Sequence, residues 1–375
     1  MSNRTEHYTV AWICSLETEY LVACELLDEE YSDVPWIDQS VDPNTYKFGR
    51  MHEHSVVIAC LPKGSRGADT ASMVAARLMI TFRHIRFGLM VGIAGGAPSL
   101  EHDIRLGDVV VSSLTAGYGG VIQYDYGKAI QGQEFWPTRY LTPPPEILRS
   151  ALVRLGTEHT RNSHQIQKTI SDMLLRKPEL LEVYSRPSRD DLYKASYVHS
   201  DGETCDCRGT IDTRNPANLE PRTERPSLCD DPVIHYGLIA SASTHMRDAH
   251  ARDALAKKHE VLCFEMEAAG LMDQFRCLVI RGIYHYADTH KNNDWQGYAA
   301  ATAAAYAKEL LSVISGTTEQ HMSAIERNGS LLDDTHGKLA AQSSSVGTVP
   351  KLDAYQMSDA DLHNHLGVKM LYVIR

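Results

Sequence analysis

The sequence predicts an α/β layer fold, and three observations carry the expectation. Short apolar runs alternate with longer amphipathic ones along the chain. The short runs are dense in Val, Ile and Leu and mostly lack polar alternation, as strands covered on both faces do. The chain has 375 residues, 43% hydrophobic and 23% charged, which is enough apolar material for a large core. Strands are expected at residues 8–14, 55–61, 87–93, 108–112, 234–241, 261–264 and 278–283. Helices are expected at 17–27, 69–82, 247–259, 267–274 and 297–314, the last rich in Ala, which favours helix strongly. Strand–helix alternation implies a mostly parallel or mixed sheet, with ligands beyond the carboxyl ends of its strands.

The same composition excludes several classes. Disorder throughout and a disulfide miniprotein do not fit it. The net charge of −11 argues against a nucleic-acid surface, which needs clustered Lys and Arg. No apolar run approaches the roughly 18 to 20 residues of a membrane helix, and the first residues lack a signal-peptide pattern. Five of the eight cysteines sit in apolar runs, where a free Cys behaves as a small buried hydrophobe. A reducing, cytoplasmic location is the expectation.

Two regions break the alternation. Residues 146–232 hold a polar helical stretch, then a Pro-, Arg- and Asp-rich segment (214–232), read as an insertion or long surface loop. From 316 to 375 the chain is polar and reads as a linker or tail, ending in a small apolar patch at 368–374. The expected division is a domain over 1–315, interrupted at about 146–232, followed by that tail.

Four motifs carry candidate chemistry. Ser15-Leu16-Glu17-Thr18-Glu19-Tyr20 follows the first strand, so its carboxylates either serve a helix start or face a strand-end site. Val91-Gly92-Ile93-Ala94-Gly95-Gly96 allows close backbone approach to a ligand, or simply a tight turn. It lacks both the GxGxxG spacing and the Lys-Ser/Thr of a P-loop. Phe264-Glu265-Met266-Glu267-Ala268 places two carboxylates at a strand–helix junction, where a carboxylate can accept both hydrogen bonds of a vicinal diol. Arg281-Gly282-Ile283-Tyr284-His285-Tyr286-Ala287-Asp288 brings a buried strand out into a cluster of titratable groups.

Taken in order, these motifs resemble the nucleoside phosphorylase family. Its hydrolytic branch, the methylthioadenosine/S-adenosylhomocysteine nucleosidases, is the nearer likeness, together with the nucleosidase-like domains that begin many fungal NACHT and ankyrin proteins. The resemblance covers about residues 7 to 315. It implies a three-layer sandwich around a mixed, partly barrelled central sheet, cleavage of a nucleoside's N-glycosidic bond, no cofactor, no metal and a homo-oligomer. Residue by residue, it implies that Glu19 activates the attacking water. Glu267 holds the ribose hydroxyls beside Glu265, Met266 packs on the sugar, and Arg281 stands near water and ribose. Gly95 approaches the ligand, and His245 with Met246 stacks on the base.

Two departures stand out. Phosphorylases carry an Arg before the Gly-rich turn to bind phosphate, whereas this chain has Met90, so water is the expected nucleophile. The family's general acid, an Asp, falls at His285. A histidinium held charged by acidic neighbours is one replacement and Asp288 the other, although 285 and 288 face opposite sides of an extended strand unless a turn follows Tyr286. The third possibility is lost acid catalysis. That leaves a non-catalytic nucleoside-sensing domain or, given the altered Ser241-Ala242-Ser243-Thr244-His245 stretch, a fold recruited to another small-molecule reaction. A zinc site from His199, Cys205, Cys207, Cys229 and His235 is disfavoured by the tight Cys-x-Cys spacing.

Overall fold

The computed structural model describes residues 4–115, 117–132, 136–139, 141–199, 216–225 and 231–316. The expected tail, Cys205, Cys207 and Cys229 lie outside the described residues, Gly316 excepted. The first half of the chain runs β1 (Val10–Cys14), α1 (Glu17–Glu25), β2 (Glu29–Glu30), β3 (Tyr46–Met51), β4 (His54–Cys60), α2 (Ala68–Thr81), β5 (Phe87–Gly96), β6 (Val109–Ser112), β7 (Val121–Gln123), β8 (Gly127–Lys128) and β9 (Trp136–Pro137). Then come α3 (Glu146–Asn162), α4 (Ile166–Arg176), α5 (Leu181–Tyr184), β10 (Ile234–Ser241), α6 (Ala249–His259), β11 (Val261–Glu265), α7 (Ala268–Leu271), β12 (Cys277–His285) and α8 (Gln296–Ser312).

The main sheet has the order β11-β10-β6-β12-β5-β1-β4-β3-β2. Strands β4, β1, β5 and β12 run parallel, whereas β6 is antiparallel to β12. The end of β5 also pairs antiparallel with β11, through Gly95–Phe264 and Gly96–Cys263. That extra pairing closes β5, β12, β6, β10 and β11 into a partial barrel, and β1, β4, β3 and β2 continue from it as an open wing. Every residue of β5 is buried, because it pairs on both edges and is covered on both faces.

Side chains alternate between two cores. Val10, Trp12 and Cys14 point to a layer made of α1, α3, α4 and α8, while Ala11 and Ile13 point to α2 and α7. This is the three-layer sandwich expected. Helix α8 is buried on nearly every side, as its Ala content requires, since only small residues let a helix lie flat on a sheet. A Cβ on Gly282 of β12 would stand 1.8 Å from the Ala299 carbonyl oxygen, so the glycine sets how closely α8 approaches.

The region 146–232 differs from a surface loop over its first third. Leu148, Ala151 and Leu155 of α3 and Ile166, Ile170 and Met173 of α4 recur at helical spacing and are buried in the core beside α8. Burying such side chains contributes roughly 1.5–3 kcal/mol each. The charged residues between them conceal this period in the sequence. Further on, Arg222 reaches Asp103, Asp190 and Tyr286, and Arg225 reaches Asp108, so residues 216–225 are latched to the barrel by ion pairs rather than apolar contact.

Candidate functional site

The carboxyl ends of β1, β5, β11 and β12 meet, and a cavity of about 70 Å³ opens there. Glu19, Gly95, Glu265, Met266, Glu267 and His285 line it, with His245 and Met246 at its edge. Five stretches widely separated in sequence therefore share one pocket.

Glu19 owes its position to the start of α1. The residue preceding the helix is Leu16, which has no side-chain acceptor for the first amides. Glu19 folds back instead, and its Oε2 accepts from the N–H groups of Leu16 (3.0 Å) and Ser15 (2.7 Å). Its Oε1 accepts from Ile93 N–H at 2.9 Å, joining α1 to β5. Burial raises the Glu19 pKa, and the Arg281 charge and the three amide bonds only partly offset it. A Cβ on Gly92 would fall 2.4 Å from Arg281 Nη1 and 2.5 Å from Glu19 Oε1, so only glycine leaves these two groups room.

Arg281 lies beneath the cavity, 1% exposed, and does not open onto it directly. Its Nη2 donates to Glu265 and stands 4.0 Å from Glu267 Oε2, while its Nε has no partner among the described residues. Glu265 also accepts from the N–H groups of Glu267 (3.1 Å) and Ala268, which fixes the turn into α7. Three buried carboxylates thus surround one guanidinium. Glu267 carries the imbalance. Burial and then the Glu265 charge push its pKa up to about 7, against Arg281 and a weak bond from Gly67 N–H.

At His285 the electrostatics differ from the sequence expectation. Its charged neighbours are Lys291, Arg247 and Arg252 rather than acids: burial first, then Lys291 and the other basic side chains around it, lowers its pKa well below the usual imidazole range. Ala287 N–H donates to its Nδ1 at 2.8 Å, which leaves the proton of the neutral ring on Nε2. It is not a histidinium. The turn after Tyr286 is present, since Ala287 adopts φ 53°. It turns Asp288 away from the 70 Å³ cavity into a neighbouring one of about 290 Å³, which His285 also borders. Burial raises the Asp288 pKa, with Arg252 opposing.

Met90 is wholly buried in the core and offers nothing to the cavity. His235 binds Asp108 Oδ2 at 2.9 Å and is already engaged there. Among the described residues no cluster could hold a metal, and no helix is long and apolar enough to cross a membrane. The sequence reading missed Arg66 and Thr244 in the cavity wall and Gly67 beneath Glu267. The Gly64-Ser65-Arg66-Gly67 turn between β4 and α2 was a signal that could have found two of them.

No family model matches the chain. An NLR-like protein (nucleotide-binding leucine-rich repeat) of Hyaloscypha variabilis is 40% identical over 310 residues, 83% of this chain and 30% of that protein. ATP nucleosidase Cap17 of Escherichia coli is 24% identical over 253 residues, 66% of this chain and 40% of Cap17. The chain thus spans less than half the length of either relative. Among solved structures, futalosine hydrolase of Helicobacter pylori aligns with a TM-score of 0.51 at 14% identity, covering 82% of this chain and 98% of the hydrolase. The methylthioadenosine/S-adenosylhomocysteine nucleosidase of S. pneumoniae aligns with a TM-score of 0.50 at 16% identity, covering 82% of this chain and all of that one (100%). The mixed α/β sandwich with its partly closed sheet is a nucleosidase-like fold. The chain has the nucleoside phosphorylase/hydrolase fold, and its relatives by sequence include an NLR-like protein and an ATP nucleosidase.

Proposed function

We propose that the chain hydrolyses the N-glycosidic bond of a purine nucleoside, carried as its 5′-phosphate, releasing free base and the ribose phosphate. The observation that carries the reading is the convergence of Glu19, Glu267 and Arg281. An ionised Glu267 accepts the ribose 2′- and 3′-hydroxyls, with Met266 against the sugar. Three of the roughly four lone-pair positions of Glu19 are taken by amides, leaving one for a water in the cavity. Water oxygen bonds to C1′, its proton passes to Glu19, and the C1′–N pair leaves with the base, which takes up a proton from solvent. The raised pKa of Glu19 makes it a better base. His285 Nε2–H donates a hydrogen bond to the departing base, and Asp288 is the neighbouring group able to carry a proton.

The phosphate rests on a second observation. Arg66 in the wall, with Arg247 and Lys291, forms a cationic rim that acts on His245, whose pKa is pushed down to about 4, by burial first and then by these charges. Arg66 and Lys291 make no ion pair among the described residues. The name of Cap17 points to the same substrate class. The test is chromatography of adenosine, inosine, AMP, ATP and GTP, each incubated with the protein with and without inorganic phosphate. Free base from the nucleotides without phosphate is expected, and no base from any of them overturns the reading. The neutral His285, standing where an acid is expected, favours one rival, a nucleotide-binding domain without turnover; tight binding with no base release would establish it.

A further inference from the structure

The turn that follows His285 is held from a separate helix. Arg252 is the one buried residue of α6, 3% exposed, where an apolar side chain would dock the helix without the desolvation penalty of a charge. The helix start fixes its place. Asp248 caps α6 by accepting from the N–H groups of His250 (2.9 Å) and Ala251 (3.0 Å), and its carbonyl accepts from Arg252 N–H at 2.8 Å. From there the guanidinium reaches the end of β12. Its Nε donates to Asp253 at 2.7 Å. Its Nη1 donates to the Tyr286 carbonyl oxygen at 2.7 Å and stands 4.0 Å from Asp288 Oδ2.

The peptide group that Arg252 grips is the same one that contacts the His285 ring. In a trans peptide the C=O and the N–H point in opposite directions. The Tyr286–Ala287 unit accepts from Arg252 on one side and, through Ala287 N–H, donates to His285 Nδ1 at 2.8 Å on the other. Hydrogen bonds in series polarise one another, so a cation on the carbonyl strengthens the amide as a donor. The two bonds also brace Ala287 at φ 53°, a conformation that disfavours any residue with a Cβ. The opposite edge of the ring lies over Gly95 of the 70 Å³ cavity, where an added Cβ would stand 2.6 Å from His285 Cε1 and 3.1 Å from Nε2.

We propose that Arg252 is a positioning residue for His285: through the Tyr286–Ala287 peptide it fixes the ring's orientation and keeps the ring proton on Nε2, where the base departs. Its catalytic consequence rests on the nucleosidase reading, whereas the tautomer follows from the geometry. Without Arg252 the Tyr286 carbonyl loses its donor and the peptide can turn. Ala287 N–H then leaves Nδ1, and the proton is shared between the two nitrogens. A ring with its proton on Nδ1 turns a lone pair toward the base and cannot donate to it.

Nitrogen NMR of the full chain carrying nitrogen-labelled histidine reads the tautomer directly, with the His285 signals assigned by their loss in His285→Gln. Arg252→Met removes the donor but strands the Asp288 carboxylate, so the double variant Arg252→Met/Asp288→Asn, which has no such stranded charge, is compared with Asp288→Asn. The parent and Asp288→Asn are expected to show a bare Nδ1 and a protonated Nε2. The double variant is expected to show both nitrogens partly protonated, and Arg252→Lys, which keeps a cationic donor, to restore the parent pattern. With the nucleotide that the parent cleaves fastest, kcat is expected to be at least about tenfold lower in the double variant than in Asp288→Asn, with KM within about threefold, since the contacts to the sugar are untouched. A protonated Nδ1 in the parent, or an unchanged tautomer in the folded double variant, overturns the inference, as does an unchanged kcat in a chain that releases base. A tautomer that shifts as expected while the parent releases no base from any nucleotide instead sinks the nucleosidase reading and leaves the role of Arg252 standing.

Discussion

Two buried charge clusters sit within this fold and are built in opposite ways. Around Asp108, Arg225 donates to both carboxylate oxygens, at 2.7 and 2.6 Å, His235 binds Oδ2, and Arg105 and Val233 add backbone amides. Burial alone would raise the Asp108 pKa, yet these partners bring it below the usual carboxylate range. Around Arg281 the ratio is inverted, with Glu19, Glu265 and Glu267 facing one cation, and the Glu267 pKa is raised. The first cluster is satisfied and joins the 216–225 latch to the barrel. The second holds excess negative charge beside the cavity at the carboxyl ends of the strands, which is where the proposed reaction develops positive charge. A buried ion cluster of itself says little about role; its charge balance separates fastening from function.

The comparison can be broken by experiment, beginning with the largest effect. Glu19→Gln is expected to lower base release by roughly 10²–10⁴-fold in single-turnover assays, the range for removing a positioned base. An unchanged rate would remove Glu19 from the mechanism. Asp108→Ala removes a buried anion from the partly buried Arg225 and His235, and denaturant titration is expected to show a loss of about 3 kcal/mol. A loss below about 1 kcal/mol would mean that the latch is not a fastening.

The two clusters are also expected to give pH slopes of opposite sign. Asp108, with a lowered pKa, stabilises the fold at neutral pH, and that contribution drains away as pH falls below the usual carboxylate range. Glu267, raised from 4.5 to about 7, binds a proton more tightly in the folded than in the unfolded chain, so its contribution is lost as pH rises from about 4.5 to 7. Glu267→Gln is therefore expected to melt about 2–4 °C above the parent at pH 8, with the gap closing at pH 5. In the parent, kcat/KM for a nucleotide is expected to climb through about pH 7 as Glu267 ionises, and this limb should vanish in the variant. The smallest effect is expected at the surface. Lys63→Ala breaks a pair with Glu17 whose side chains are 95% and 84% exposed, and the melting curve should not move.

Much of the 70 Å³ cavity's lining was legible because each of its motifs is local. Glu19, Glu265 and Glu267 stand where a buried apolar strand gives way to a helix start, and that junction can be read from a dozen consecutive residues. The layer order was legible for the same reason, since seven strands and five helices announced themselves by composition. Less visible were β3, whose residues alternate Lys and Arg with Phe and Met, and α3 and α4, whose apolar faces are interrupted by charge.

The sequence by itself determined the α/β class, the succession of buried strands and the carboxylates at their ends, because hydrophobic period and residue type act over short stretches of chain. Tertiary structure alone decided which charges became neighbours. It made His285 a neutral ring, and not the histidinium that was one of three readings of the sequence, by burying it and bringing Lys291, Arg247 and Arg252 around it. It also moved Asp288 into a separate cavity through one residue with positive φ, and it left the His290 ring nitrogens buried without a hydrogen-bond partner among the described residues. Protonation depends on burial and on groups brought close from elsewhere in the chain, and neither distance nor burial is written in the order of the residues.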